Sequence, residues 1–229
     1  MYGKIFKSEN ETPNKNIIDS NSFFICYSIY IIYLKYLFPI IFIKLMKLNI
    51  GFFLGSKFGK GTNFSNLTKK VAKWVNKNSH NIIFGGTETG IMRDLVVNLD
   101  KNESTITAII TKGLIKDHNE LNYFDELIIV EDLRKRTEQF LLRSDVFLAL
   151  PGGIGTLFEI IEIFNKRVLG ETSKKILLIN DFDYWGPLKN LLEHMIKEEF
   201  LEKKIMLKNI EFINFCEIDE RLKDVKNSG

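Results

Sequence analysis

Two spacings of apolar residues alternate along most of this chain. Short, mostly apolar runs occur at residues 50–54, 82–84, 105–110, 127–130, 145–150, 176–179 and 210–213. Unbroken runs of this length fit strands buried on both faces. Between them the apolar positions recur every three to four residues, as on one face of a helix. Leu67, Val71, Trp74 and Val75 mark one such face, and Ile91, Met92, Leu95 and Val96 a second. Leu157, Ile160, Ile161, Phe164 and Val168 mark a third. Further helices are expected over residues 133–143, 184–200 and 217–225. Strands alternating with helices specify an α/β protein, with a doubly wound (Rossmann-like) parallel sheet of about seven strands and helices on both faces.

Residues 1–45 break this rhythm. Residues 1–21 are polar and rich in turn formers, and residues 23–43 are dense in Phe, Ile, Tyr and Leu. The apolar stretch is long enough to cross a bilayer, but Lys35 near its centre costs about 2.5–3.5 kcal/mol on insertion scales, and Pro39 kinks a helix. No small-residue cleavage site follows, so a secretory signal fits poorly. Three readings stand: a dispensable or translated upstream extension with the composition of AT-rich codons, a membrane anchor, or an extra packed element. The first is favoured over membrane contact, because Met46 opens directly onto the first strand pattern. The chain is therefore read as an N-terminal extension, residues 1–45, followed by one domain, residues 46–229.

Composition narrows the class. With 229 residues and 45% hydrophobic content, the chain can bury one sizeable core. The net charge is +3, from 32 basic and 29 acidic residues, which is no signature of a nucleic-acid binder. Cys26 and Cys216 lie far apart and match no metal or redox spacing. That points to a reducing compartment and a cytoplasmic location. His80, His118 and His194 are scattered, so no metal site is expected.

The candidate chemistry lies in glycine-rich turns at the carboxyl ends of predicted strands. The strand at 145–150 runs into Pro151, Gly152, Gly153, Ile154, Gly155 and Thr156, and a helix opens there. Free backbone N–H groups and the positive end of the helix dipole then face one small volume, which suits a phosphate. Thr156 and Glu159 also admit a structural reading, as a capping box that satisfies the first N–H groups of the helix. Two more turns, at Gly55-Ser56 and at Gly85 to Gly90, end on the same edge of the sheet. In an open α/β sheet that edge is the ligand edge. The second turn is Gly-Gly-x-x-x-Gly, and no acidic residue closes the following strand, so a dinucleotide site is disfavoured. Neither a Walker A motif nor a Gly-x-Ser-x-Gly nucleophile elbow is present.

The string Pro-Gly-Gly-x-Gly-Thr-x-x-Glu at residues 151–159 resembles, without a mismatch, the signature of the LOG family. These are the cytokinin-riboside-monophosphate phosphoribohydrolases, often mislabelled as lysine decarboxylases. The resemblance covers most of residues 46–214. Gly55-Ser56 looks like the family's Gly-Ser after its first strand, and Gly85-Gly86 through Gly90-Ile91-Met92 resembles its Gly-Gly-Gly-x-x-Gly-Leu-Met turn. The family arginine, fifteen residues before the signature proline, falls on Arg136. The resemblance implies a doubly wound, nucleotide-binding domain, a homodimer, and no cofactor. It also implies hydrolysis of the N-glycosidic bond of a nucleoside 5′-monophosphate to free base and ribose 5-phosphate.

The implied catalytic residues are Arg136 and Glu159. The implied phosphate- and substrate-binding residues are Ser56, Gly86, Gly90, Met92, Gly152, Gly153, Gly155 and Thr156. These residue types suit the reaction. A fixed carboxylate stabilises the positive charge that develops on the ribose as the base leaves, and arginine offers a planar, permanent charge. Arg136 also has a plain reading, as one exposed member of the basic run Arg134-Lys135-Arg136.

Three positions and one segment depart from the family pattern. Thr137 stands in place of a lysine, Phe158 in place of a glutamate, and Thr87 in place of a glycine. The Thr-Trp-x-Gln segment of plant-type members falls on Asn165 to Val168. These leave the preferred base open, with AMP a candidate. The rival reading is a non-catalytic nucleotide- or cofactor-binding carrier on the same scaffold, which needs the glycine cradle but neither Glu159 nor Arg136. A pyridoxal-dependent decarboxylase is rejected, because no lysine lies in a cofactor motif.

Overall fold

A computed structural model of the chain describes residues 28–32, 35, 47–113 and 123–226. The chain divides into two units, Met1–Phe42 and Ile43–Gly229. In the first, residues 28–32 are helical; the remainder of the predicted extension lies almost wholly outside the described residues. Among the described residues no helix is long and apolar enough to cross a membrane.

The second unit is one parallel sheet covered by helices. Its strands are β1 (Asn49–Phe53), β2 (Asn81–Phe84), β3 (Ile106–Thr111), β4 (Glu126–Val130), β5 (Val146–Ala149), β6 (Ile176–Ile179) and β7 (Glu211–Ile213). They lie in the order β4-β3-β2-β1-β5-β6-β7, and every pairing is parallel. All seven predicted strands are present, within one or two residues of the expected bounds. The helices are α1 (Asn63–Asn78), α2 (Gly90–Val96), α3 (Leu133–Arg143), α4 (Ile154–Val168), α5 (Gly186–Lys197), α6 (Lys203–Asn209), α7 (Ile218–Arg221) and α8 (Lys223–Lys226).

Unbroken apolar strands feed two cores at once, because successive side chains point to opposite faces. Ile50 and Phe52, with Val146 and Leu148, pack under α1, α2 and α7, where Leu67, Val71, Ile91, Leu95 and Ile218 close the layer. Phe53, Phe147 and Ala149 face α3, α4 and α5, which bring in Phe140, Ile160, Ile163 and Leu188. Phe53 stacks on Phe147 at 5.2 Å and meets Phe140 edge-on at 5.3 Å. Gly51 makes room for this cluster: a Cβ there would lie 2.6 Å from the Phe147 ring.

The differences from expectation have local causes. Helix α6 lies in a lysine-rich stretch without an apolar period; tertiary packing of Met206 brings it in. The predicted helix 184–200 is shorter at both ends. Phe182 and Asp183 take left-handed backbone before it, and Glu199 does so after it. The closing helix 217–225 is broken into a 3₁₀ turn, Phe215–Glu217, followed by α7 and α8. On α4, Ile161 and Val168 belong to the predicted apolar face yet are exposed, whereas Ile163 is fully buried.

This topology positions the site. Strand order runs outward in both directions from β1 and β5, so the crossovers diverge there. A crevice opens beyond the carboxyl ends of those two strands.

Candidate active site

The crevice is built from the loops that leave β1 and β5. The two loops are tied together: the Gly55 N–H donates to the Pro151 carbonyl at 3.1 Å, and Leu150 donates to Phe53 at 2.9 Å. Gly152 lies flat against Thr156, and a Cβ at Gly152 would fall 2.1 Å from the Thr156 hydroxyl oxygen. Tyr184 donates its hydroxyl to the Gly152 carbonyl and fixes the turn from the β6 side.

Helix α4 begins at Ile154 with Gly153 as its N-cap, and no side chain caps it. The N–H groups of Ile154, Gly155 and Thr156 therefore have no intrahelical acceptor. Side chains at Gly153 and Gly155 would meet nothing within 4 Å, so this end of the helix is open. The capping-box reading of Thr156 and Glu159 is overturned: Thr156 is the third helical residue, not the cap, and is buried. Glu159, one turn on, points to another partner.

That partner is Arg136. Its Nη2 lies 3.0 Å from Glu159 Oε1, with both side chains less than 15% exposed. Its Nε donates to the Ile109 carbonyl at 3.1 Å, and the guanidinium stands 5.6 Å from the Phe140 ring centre. The surface reading of Arg136 is thereby overturned. Its neighbours Arg134 and Lys135 are the exposed members of the run, and both pair with Glu138. Gly85 supplies the slot for the guanidinium: a Cβ there would lie 2.3 Å from Arg136 Nη2. Burial pushes the Glu159 carboxyl up to about 7, against the pull of the Arg136 cation and with a further push from Glu162.

Two cavities meet at this ion pair and share Arg136, Ile154, Gly155 and Glu159. The larger, about 560 Å³, runs along the glycine turn. The smaller, about 210 Å³, is almost wholly apolar, with Phe53, Phe140, Phe158 and Ile163 in its wall. Of the predicted residues, Ser56, Met92, Arg136, Gly152, Gly153, Gly155, Thr156 and Glu159 come together around the larger cavity.

Gly86 and Gly90 stand behind the wall. A Cβ at Gly86 would strike Ile110, and one at Gly90 would strike the backbone at Lys57, each at less than 2.5 Å; both glycines have positive φ. Their service is backbone fit, and it lets the Met92 N–H reach the Gly55 carbonyl at 3.2 Å. Sequence reasoning missed Lys57, Phe64 and Tyr184, which also line the cavity. Lys57 and Tyr184 are single loop residues with no periodic signal, placed after β1 and β6, and Phe64 lies in the first turn of α1, outside the apolar face that the spacing marks. Among the described residues no group of His, Cys, Asp or Glu is arranged to hold a metal ion.

Fold and site together define a doubly wound α/β protein with a glycine cradle and a buried Arg–Glu pair at the switch point. Residues 90–218 match the family described as "Possible lysine decarboxylase", and the chain belongs to this family, the LOG family. It is 28% identical over 165 residues to the cytokinin riboside 5′-monophosphate phosphoribohydrolase of Rhodococcoides fascians, a match covering 69% of this chain and 83% of that protein. It is 27% identical over 150 residues to the Arabidopsis thaliana enzyme of the same name, LOG5, covering 66% of each. Among solved structures, the molybdenum cofactor carrier protein of Chlamydomonas reinhardtii superposes with a TM-score of 0.59 at 14% identity, over 80% of this chain and 100% of that one. The molybdenum cofactor binding protein of Rippkaea orientalis gives 0.57 at 18%, over 79% of this chain and 98% of that one. These two likenesses show the fold.

Two outcomes are expected. Gly85→Ala displaces the guanidinium, so Arg136 loses its hold on Glu159. Thermal unfolding should shift modestly while ligand affinity or turnover falls at least about tenfold, the scale of one misplaced charged contact. The second concerns pH. Glu159 holds its proton more tightly folded than unfolded, so folding takes up a proton between the unfolded value of 4.5 and the folded value of about 7. Its ionisation therefore weakens the folded state as pH rises through that window, and the full cost is present above it. The stability difference between Glu159→Gln and the parent should move toward the variant by about 2 to 3 kcal/mol between pH 5 and pH 8. Urea titrations at the two pH values read it directly.

Proposed function

We propose that this protein is a hydrolase that cleaves the N-glycosidic bond of a nucleoside 5′-monophosphate, yielding free base and ribose 5-phosphate. The observation that carries this reading is the buried Arg136–Glu159 pair, one helical turn from an uncapped helix N-terminus. The 5′-phosphate accepts hydrogen bonds from the open N–H groups of α4 and from the Thr156 hydroxyl. The ribose then lies beside Glu159. As the bond from C1′ to the base nitrogen breaks, its electron pair leaves with the base and positive charge grows on the ribose ring. The Glu159 carboxylate faces that charge; a water molecule adds to C1′ through its oxygen, and the proton it gives up ends on the departing base nitrogen, so that free base and ribose 5-phosphate result. Arg136 holds the carboxylate in place and offers its remaining N–H groups to the nucleotide. The relatives' names support the reaction class at the level of the family.

The departure at residues 165–168 bears on the base. Arg167 in this segment donates to the Ser173 and Lys208 carbonyls, so it ties the end of α4 to α6. AMP is accordingly the first substrate to try. The carrier reading keeps one supporting observation, the scaffold shared with carrier proteins. A carrier needs no buried, partly protonated carboxyl beside its ligand.

The homodimer is part of the same proposal. Ile154, Phe158 and Ile161 on α4 and Leu133 on α3 are large apolar side chains left exposed next to the site, and a second copy of the chain would cover them.

Incubation of the full chain with AMP and with isopentenyl-AMP should release base detectable by chromatography. Glu159→Gln should reduce release by about two to three orders of magnitude and leave nucleotide binding largely intact. Bound nucleotide with no release from either substrate would favour the carrier. In sedimentation, the parent should run as a dimer and Ile161→Lys as a monomer; a monomeric parent would end the dimer proposal.

A further inference from the structure

The position where the chain replaces a family lysine by Thr137 is buried, and it contacts the catalytic helix. The Thr137 hydroxyl donates to Glu162 Oε2 at 2.6 Å. Its own backbone neighbour, the Leu133 carbonyl, lies farther away at 3.2 Å. A hydroxyl has one proton, and the charged, nearer acceptor takes it. Glu162 follows Glu159 by three residues on α4, so the two carboxyl groups share one face of the helix. Arg136 and Thr137 are likewise adjacent on α3. One turn of α3 thus grips two carboxyl groups of α4, one with a cation and the other with a neutral hydroxyl.

We propose that Glu162, held by the Thr137 hydroxyl, is a positioning residue that keeps the Glu159 carboxyl turned toward Arg136 and sets the pH range over which it works. The inference rests on the hydrolase reading for its consequence in catalysis, but the coupling itself is a property of the folded chain.

The charges around the two groups make the coupling effective. Glu159 faces Arg136 from α3 and Glu162 from its own helix, and the cavity it lines also holds Lys57 from the β1 loop and Tyr184 from the β6 loop. Glu162 faces Thr137 from α3, while Lys166, one turn further along α4, gives its ammonium to Glu171 at 2.8 Å. Glu138 on α3 and Glu162 both act on Lys166. Arg136 is therefore the cation bonded to this pair of carboxyl groups, and its bond is to Glu159. Glu162 pushes the Glu159 carboxyl up, because a second negative charge on the same helix face costs energy. A lysine at 137 would cancel that effect; threonine preserves it. In this account Glu159 as carboxylate is the active form, so activity should rise with pH as Glu159 ionises.

The test is Glu162→Gln, which keeps an acceptor for Thr137 and removes only the charge. Carbon-13 carboxyl titration of Glu159 in the full chain should move to lower pH by about one unit. This readout needs no turnover. In the hydrolysis assay, the rising limb of the pH–rate profile should move by the same amount. A one-unit shift predicts a gain of about fivefold at pH 6 and parent-like turnover at pH 8. Thr137→Lys should shift the limb in the same direction with Glu162 retained. A Glu159 titration unmoved by Glu162→Gln overturns the proposal, whatever the activity. A titration that moves in a chain without hydrolase activity upholds the coupling and counts against the hydrolase reading instead. Equal loss of turnover at all pH values, with no shift of the limb, would make Glu162 a plain packing residue.

Discussion

A cation and an acid buried side by side are the constraint on which the rest of this site depends. Removing the acid would strand the arginine cation in a low-dielectric wall, a cost of several kcal/mol, and removing the arginine would leave the acid to take up a proton. Much of the surrounding structure relieves that cost. The Ile109 carbonyl accepts from Arg136, the Phe140 ring stands near its guanidinium, and Gly85 yields the space it occupies. Burial of the carboxyl, with a smaller push from a second acid nearby, holds its proton into the neutral range against the pull of the one cation. Such a perturbed group in a cleft is a mark of function as well as of packing.

The glycines divide into two kinds of work. Gly153 and Gly155 leave open space in front of a helix end, where an anion can approach backbone N–H groups. Gly51, Gly85, Gly86, Gly90 and Gly152 instead let another part of the protein come close: a ring, a guanidinium, an isoleucine, a loop backbone and a threonine. Two glycine-rich turns that look alike on paper therefore have different duties. The turn after β5 faces the ligand space, and the turn after β2 shapes the support behind it.

The same scaffold serves proteins named as hydrolases and proteins named as carriers. Fold alone does not separate them. A hydrolase on this scaffold needs groups able to stabilise charge at a breaking bond, a demand that a carrier does not make. Here the crevice holds an arginine and a glutamate in direct contact, at the junction of a polar cradle and an apolar recess.

The sequence by itself determined the layered α/β architecture, because strands buried on both faces and helices buried on one leave different apolar periods. It also determined the signature turn, since a proline and three glycines between a buried strand and a helix mark a tight turn with uncovered backbone N–H groups. Boundaries at residues 182–183 and 199 escaped it, because non-glycine residues there adopt left-handed backbone under the pull of specific hydrogen bonds, such as that from the Trp185 N–H to the Asn180 side chain. Only the tertiary structure decided which arginine of the basic run turns inward, that Thr156 packs rather than caps, and that Thr137 meets Glu162. The first and the last depend on contacts between residues more than twenty positions apart, and the packing of Thr156 depends on how the turn at Gly152 folds back on it. The spacing of apolar residues records burial along one element, but it carries no record of which side chain waits on the element opposite.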